Sequence, residues 1–258
     1  MFMKLAMLGL ATSVAFVASA GPITVEDLTP GAPASGGPLN GGFVFAIDPQ
    51  STGTGVIDPF LREQIGTDKK GPEEGLNTSI NNPPLDDKAG TWTHDLSVSA
   101  LAPVTFNGQQ FYKFTLDANQ VGNGPISLIQ FEIFVTPGSP FTKNSDLLNL
   151  LSTTPNYDMN GGANQYRVDV SSQNGSGSGD MYFLVPVADI GNSGNLYLYA
   201  EFGADANANG FTPNDGFEEW YATEGLNSTG VPDSGTTVAL LGLGLTSVAL
   251  LRRRFAKA

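Results

Sequence analysis

The sequence contains no cysteine, which excludes disulfides, thiolate metal sites and cysteine nucleophiles together. Its single histidine is His94, so multi-histidine metal sites are excluded and any serine triad must use His94 as its base. Charged residues make up only 14% of the chain, against roughly 25% in an average soluble domain. Long helical patterns are also missing, because 32 Gly and 17 Pro among 258 residues favour turns and short strands. What the chain does have is 40% hydrophobic residues, enough to build a core.

The N-terminus pairs Lys4 with an apolar run from Leu5 to Val17 and ends in Ala18-Ser19-Ala20. A short basic region, an apolar stretch and small residues at the cleavage positions define a signal peptide. Ala18 and Ala20 supply the −3 and −1 side chains, and the expected cut by signal peptidase lies between Ala20 and Gly21.

At the other end, Val231-Pro232-Asp233-Ser234-Gly235 precedes an uncharged, mostly apolar stretch from Thr236 to Leu251, then Arg252, Arg253, Arg254 and Lys257. Sixteen helical residues reach roughly 24 Å, short of a hydrocarbon core near 30 Å. The arginines keep the tail cytoplasmic, so the body is expected outside, with the membrane insertion transient. Pro232 fixes φ and removes a donor, which suits an extended segment offered to a protease cleft.

This order of pentapeptide, apolar helix and basic tail resembles the PEP-CTERM class of bacterial sorting signals, in its VPDSG variant. The resemblance covers the last 28 residues and leaves the rest of the chain unassigned. It implies processing by exosortase, a membrane-embedded cysteine transpeptidase, in a bacterium that makes exopolysaccharide. It also implies an inner-membrane intermediate that is later released or transferred to the cell surface.

Without the two ends, residues 21–230 carry 7 Lys and Arg against 24 Asp and Glu, a net charge of −17. Such a body repels phosphate backbones and anionic lipid, so nucleic acid is not an expected partner.

Residues 21–42 read as a flexible linker by composition. Residues 43–222 read as one β domain with a loop-rich part from 48 to 90, whose likeliest strand is Phe43 to Ile47. Residues 223–230 are a polar spacer before the sorting segment 231–258. Apolar alternation is strong between residues 90 and 222. One face carries Trp92, His94, Leu96 and Val98, and the next run carries Tyr112, Phe114 and Leu116. Further runs follow on Ile129, Phe131, Ile133 and Val135; on Tyr166, Val168 and Val170; on Met181, Phe183, Val185 and Val187; and on Leu196, Leu198, Ala200 and Phe202. Pro186 suggests an edge or a bulge. Only Ser145 to Leu151 reads as helix, capped by Asn144 or Ser145 and stopped before Pro155. The expected fold is all-β, a single antiparallel sandwich of jelly-roll type.

Chemistry is sparse. His94 lies on the expected apolar face of a strand, where a core or rim histidine is the simpler reading. No Gly-x-Ser-x-Gly elbow occurs, since residues 175–179 place Gly where the nucleophile would sit. Glycoside hydrolysis needs two carboxylates facing each other, and the adjacent pairs Glu73-Glu74, Asp86-Asp87 and Glu218-Glu219 point to opposite sides of an extended chain. Asp205, Asn207 and Asn209 before Gly210 match the first half of a calcium loop, but its twelfth position is Gly216. Asn156, Asp158 and Asn160 repeat the half-pattern, with Arg167 at position twelve. Either segment fits an irregular calcium cage or a plain Asn/Gly turn.

Tyr197 and Tyr199 lie opposite Leu196 and Leu198, so both rings are candidates for a solvent-facing sugar platform, joined by Trp220. The sequence therefore leads to a non-enzymatic, exported surface or matrix protein in contact with exopolysaccharide, with no cofactor unless calcium is bound. A calcium-assisted polysaccharide-binding module is the alternative, and a secreted glycan hydrolase the weaker one.

Overall fold

The computed structural model describes residues 23–29, 38–47, 58–65, 71–122, 124–161, 165–171, 179–205, 209–214 and 216–224. The signal peptide, Asn207 and the whole sorting segment lie outside these residues. Among the described residues no helix is long and apolar enough to cross a membrane.

Two sheets form a sandwich, as the alternation predicts. The first runs in the order β1 (Ile23–Asp27), β11 (Gln165–Ser171), β9 (Pro125–Thr136), β13 (Asn195–Phe202) and β5 (Glu73–Leu76). Short strands β10 (Tyr157–Asp158) and β6 (Leu96–Ser97) pair with β9 and β13. The second runs β2 (Pro38–Leu39), β3 (Gly42–Ala46), β12 (Met181–Pro186), β8 (Gln109–Asn119), β14 (Phe217–Ala222) and β4 (Leu61–Glu63), with β7 (Val104–Phe106) also on β8. All pairings are antiparallel except β1 on β11, which is parallel. The Asn107-Gly108 turn joins β7 to β8 with positive φ at both residues, the backbone a two-residue hairpin requires.

The expected inward faces largely meet. Leu128, Phe131, Ile133, Leu198, Ala200 and Phe202 of the first sheet share one core with Phe114, Leu116, Met181, Phe183 and Trp220 of the second. Phe131 stacks on Phe183 at a centroid distance of 4.4 Å and lies 5.1 Å from Trp220. With no disulfide, burial of such rings at about 1.5–3 kcal/mol each is the main adhesive between the layers.

Several local expectations are corrected. A register shift beside Glu201 inserts an extra residue in β9, so Leu128 faces the core where the plain alternation put Ile129. Such a bulge reverses the phase of a strand. The run from Thr91 is no continuous strand, since only Leu96–Ser97 pair and Val98–Ala100 form a 3₁₀ turn. Pro186 marks no edge; β12 lies between β3 and β8, and Pro186 ends it where helix α2 (Val187–Ile190) begins. Helix α1 (Asn144–Leu150) is present, but Lys143 holds its N-cap position without a side-chain bond, while the Asn144 amide donates to the Asn82 carbonyl. Part of the supposed linker is structured too, as β1 pairs along β11.

The two outer faces differ. On the first sheet, Leu76, Phe134, Tyr197 and Tyr199 form a second apolar cluster, closed over by Leu147 and Leu150 of α1 and by Ile80, Leu85 and Phe141. On the second sheet, Phe43, Phe45, Phe106 and Tyr182 pack edge to face or stacked on one another and stay half-buried.

Candidate functional site

Three strands missed or underread in the sequence bring carboxyl groups into the sandwich itself. Glu63 on β4 is directly opposite Glu218 on β14, and Trp220 follows two residues on along the same face of β14. Glu73 on β5 is paired with Phe202 of the first sheet, a core residue. Both sheets therefore aim glutamates between the layers, and Glu63, Glu73 and Glu218 are each 0% exposed.

Their hydrogen bonds are incomplete. Glu63 Oε1 accepts from the Trp220 indole at 3.1 Å. Glu73 Oε2 accepts from the Ile65 amide at 2.6 Å, and Glu218 Oε1 accepts from the Gln120 side chain. Among the described residues, no donor faces the buried Glu63 Oε2, Glu73 Oε1 and Glu218 Oε2. The room for the Glu63 carboxylate comes from Gly75, where a Cβ would fall 2.5 Å from Oε2. Asp87 sits beside the group, bridging Glu63 by backbone and accepting the Leu76 amide at 2.6 Å. Burial pushes the Glu63, Asp87 and Glu218 carboxyls well above the usual carboxylate range, and Glu73 upward as well.

A second acidic group is built differently. Arg167 on β11 binds Asp169 through Nε at 3.0 Å and Nη2 at 3.1 Å, and reaches Asp205 through Nη1 at 2.8 Å. Ser127 donates to Asp169 at 2.5 Å and receives the Phe211 amide at 2.7 Å, which ties the loop after β13 across β9. Asp205, the first residue of the suspected calcium loop, thus holds a guanidinium, and its Oδ1 accepts the Asn209 amide at 3.3 Å. The half-pattern at Asn156 is likewise committed to turns. Asn156 accepts the Val135 amide, Asp158 the Asn160 amide, and Asn160 the Tyr166 amide while donating to the carbonyl of the bulged Ile129. Among the described residues no group of three or more His, Asp or Glu side chains is arranged to hold a metal ion.

The sugar platform expected from Tyr197, Tyr199 and Trp220 is corrected by their burial. Tyr197 is 0% exposed, Tyr199 8% and Trp220 0%. Tyr197 stacks on Phe141 at 5.2 Å and its hydroxyl accepts the Phe141 amide. The Tyr199 hydroxyl donates to Glu74 at 2.7 Å and lies 3.3 Å from Glu201. Trp220 belongs to the central core. The face was read correctly, but period-two alternation shows only which residues lie opposite the core. It cannot show that α1 and the loop 77–85 cover them. Trp92 is the exposed tryptophan, at 43%, with the Arg62 guanidinium 3.9 Å above its ring. His94 is half-buried in an irregular stretch, its amide bonded to the Phe60 carbonyl.

No curated protein and no solved structure matches the chain. Residues 230–255 match the VPDSG-CTERM motif, so the chain ends in a C-terminal sorting signal of the PEP-CTERM class, and its body is assigned to no family.

Proposed function

We propose that this chain is a non-enzymatic protein of the cell surface or extracellular matrix in an exopolysaccharide-producing bacterium, delivered there by an exosortase. The observation that carries the reading is the VPDSG-CTERM match over residues 230–255, a signal that implies export and sorting. The body suits that destination. Its net charge of −17 over residues 21–230 favours solubility and disfavours adhesion to anionic lipid. Its sandwich is held by packing, so it needs no oxidising step to mature. In this reading the chain is the substrate. Pro232, Asp233 and Ser234 present the segment to be cut, residues 236–251 hold it at the membrane, and Arg252 to Arg254 set its orientation.

The test is expression of the full chain with and without an exosortase, followed by the intact mass of the chain in membrane and extracellular fractions. With the enzyme, the extracellular chain is expected to lack the apolar segment and basic tail. Deletion of residues 231–235 is expected to leave the chain uncut in the membrane fraction. Identical processing of the deletion variant, or an extracellular chain that keeps its arginines, would overturn the proposal.

A further inference from the structure

We propose that Glu73 and Glu218 share one proton and act as a pH-sensitive clamp between the two sheets, loosening the β4, β5 and β14 edge as the surrounding pH rises. Geometry carries the argument. Glu63, Glu73 and Glu218 enter the interior from three strands and both layers, each fully buried. Among the described residues every donor offered to them is already spent: the Trp220 indole on Glu63, the Ile65 amide on Glu73, the Gln120 amide on Glu218. What is left is a bond between the carboxyls of Glu73 and Glu218, and two carboxylates bond only if one holds a proton.

Among the described residues the surroundings give the proton no rival. Asp86 and Asp87, from the segment packed beside β5, bring further carboxyls and no cation. Tyr199, on β13, is the neutral titratable group whose hydroxyl feels Glu63. Arg62, next to Glu63 on β4, points to the opposite face and is taken by Glu219. A cation would be the alternative neutraliser, but the carboxyls do not converge as metal ligands.

The sign follows from the raised carboxyls. Their contribution to stability is complete below the ordinary carboxylate range, about pH 4, and is lost as pH rises through the elevated value of the folded state. Above it, the second proton leaves and like charges face each other inside the sandwich. The pH of the medium matters to this clamp only through the export proposed above, but the test itself does not depend on export.

Thermal unfolding of the full-length chain, from pH 5 to pH 9, in calcium and in EDTA, decides the matter. The wild-type midpoint is expected to fall with rising pH. Glu218→Gln supplies an amide donor to Glu73 without a proton while still accepting from Gln120. It is expected to raise the midpoint at pH 8 by ~3 °C or more and to remove most of the slope. Glu26→Gln, which deletes the same charge far from the clamp, is expected to keep the slope, and Glu73→Gln to reduce it if Glu218→Gln folds poorly. Hydrogen exchange should place the opening at the β4 and β5 amides. A flat wild-type profile, or an unchanged slope in both Glu218→Gln and Glu73→Gln, would overturn the proposal. So would a wild-type midpoint raised by calcium, reversed by EDTA and made calcium-insensitive by Glu218→Gln, which would put a cation where the proton is proposed.

Discussion

The sandwich solves the burial of acid in two ways. At Arg167, two aspartates from β11 and the loop after β13 are neutralised by one guanidinium that binds Asp169 through two nitrogens and Asp205 through a third. At the β4 and β5 edge, three glutamates are buried deeper, with no guanidinium between them among the described residues. The first arrangement works wherever the carboxylates are ionised. The second stays neutral only by holding protons. A chain with few cations to spend, 7 over residues 21–230, has placed one of its two body arginines at the first and let the second titrate.

The comparison breaks most visibly at Arg167. Arg167→Ala takes the guanidinium away from Asp169 and Asp205, whose side chains are 7% and 8% exposed. Removing one side of a buried ion pair costs about 3–5 kcal/mol, read by denaturant unfolding. The deficit should shrink at pH 4 to 5, where buried carboxylates that have lost their cation can be discharged by protonation. An equal deficit at pH 5 and pH 8 would mean the arginine acts by packing alone.

A smaller effect is expected at Gly75, which keeps the second arrangement possible. Gly75→Ala sets a Cβ 2.5 Å from Glu63 Oε2 and 2.8 Å from its Cδ, so the carboxyl must leave its place under the Trp220 indole. Overpacking of this kind costs about 1–3 kcal/mol. Glu63→Gln combined with Gly75→Ala should cost no less, since the clash is steric. Rescue by that pair would show instead that charge sets the cost.

The same contrast explains what the sequence disclosed. Alternation exposed the strands whose inward positions are apolar, so β8, β12 and β13 were legible together with the core on Phe114, Phe183 and Leu198. It hid β4 and β5, because their inward residues are Glu63 and Glu73, the residue type a pattern reader places outside. Glu218-Glu219 was visible only as an adjacent acidic pair. That one member turns in and the other out toward Arg62 follows from the pairing of β14 with β4. Tyr197 and Tyr199 failed for a different reason: a non-local cover, α1, decides their exposure. The sorting signal was legible, since a motif of contiguous residues is carried by linear sequence and needs no fold to be seen.

The smallest effect is expected where the two arrangements meet, at Arg62. Its guanidinium binds Glu219 at 2.5 Å and lies between the Trp92 and Phe217 rings, 3.9 and 4.2 Å from their centroids. Burial raises the Glu219 carboxyl, and Arg62 holds it back down. Arg62→Met keeps much of the stem packing between the rings and removes only the charge, so Glu219 becomes another buried glutamate without a cation. At pH 5 the variant should lose little beyond the cation–π contribution of about 0.5–1 kcal/mol, because protonation neutralises Glu219. At pH 8 the loss should grow, and the added Glu219→Gln should recover the difference. Denaturant midpoints of the single and double variants at the two pH values measure it. If the Arg62→Met loss is the same at both, Glu219 differs in kind from Glu218, and the contrast between a neutralised and a protonated carboxyl does not extend across the strand.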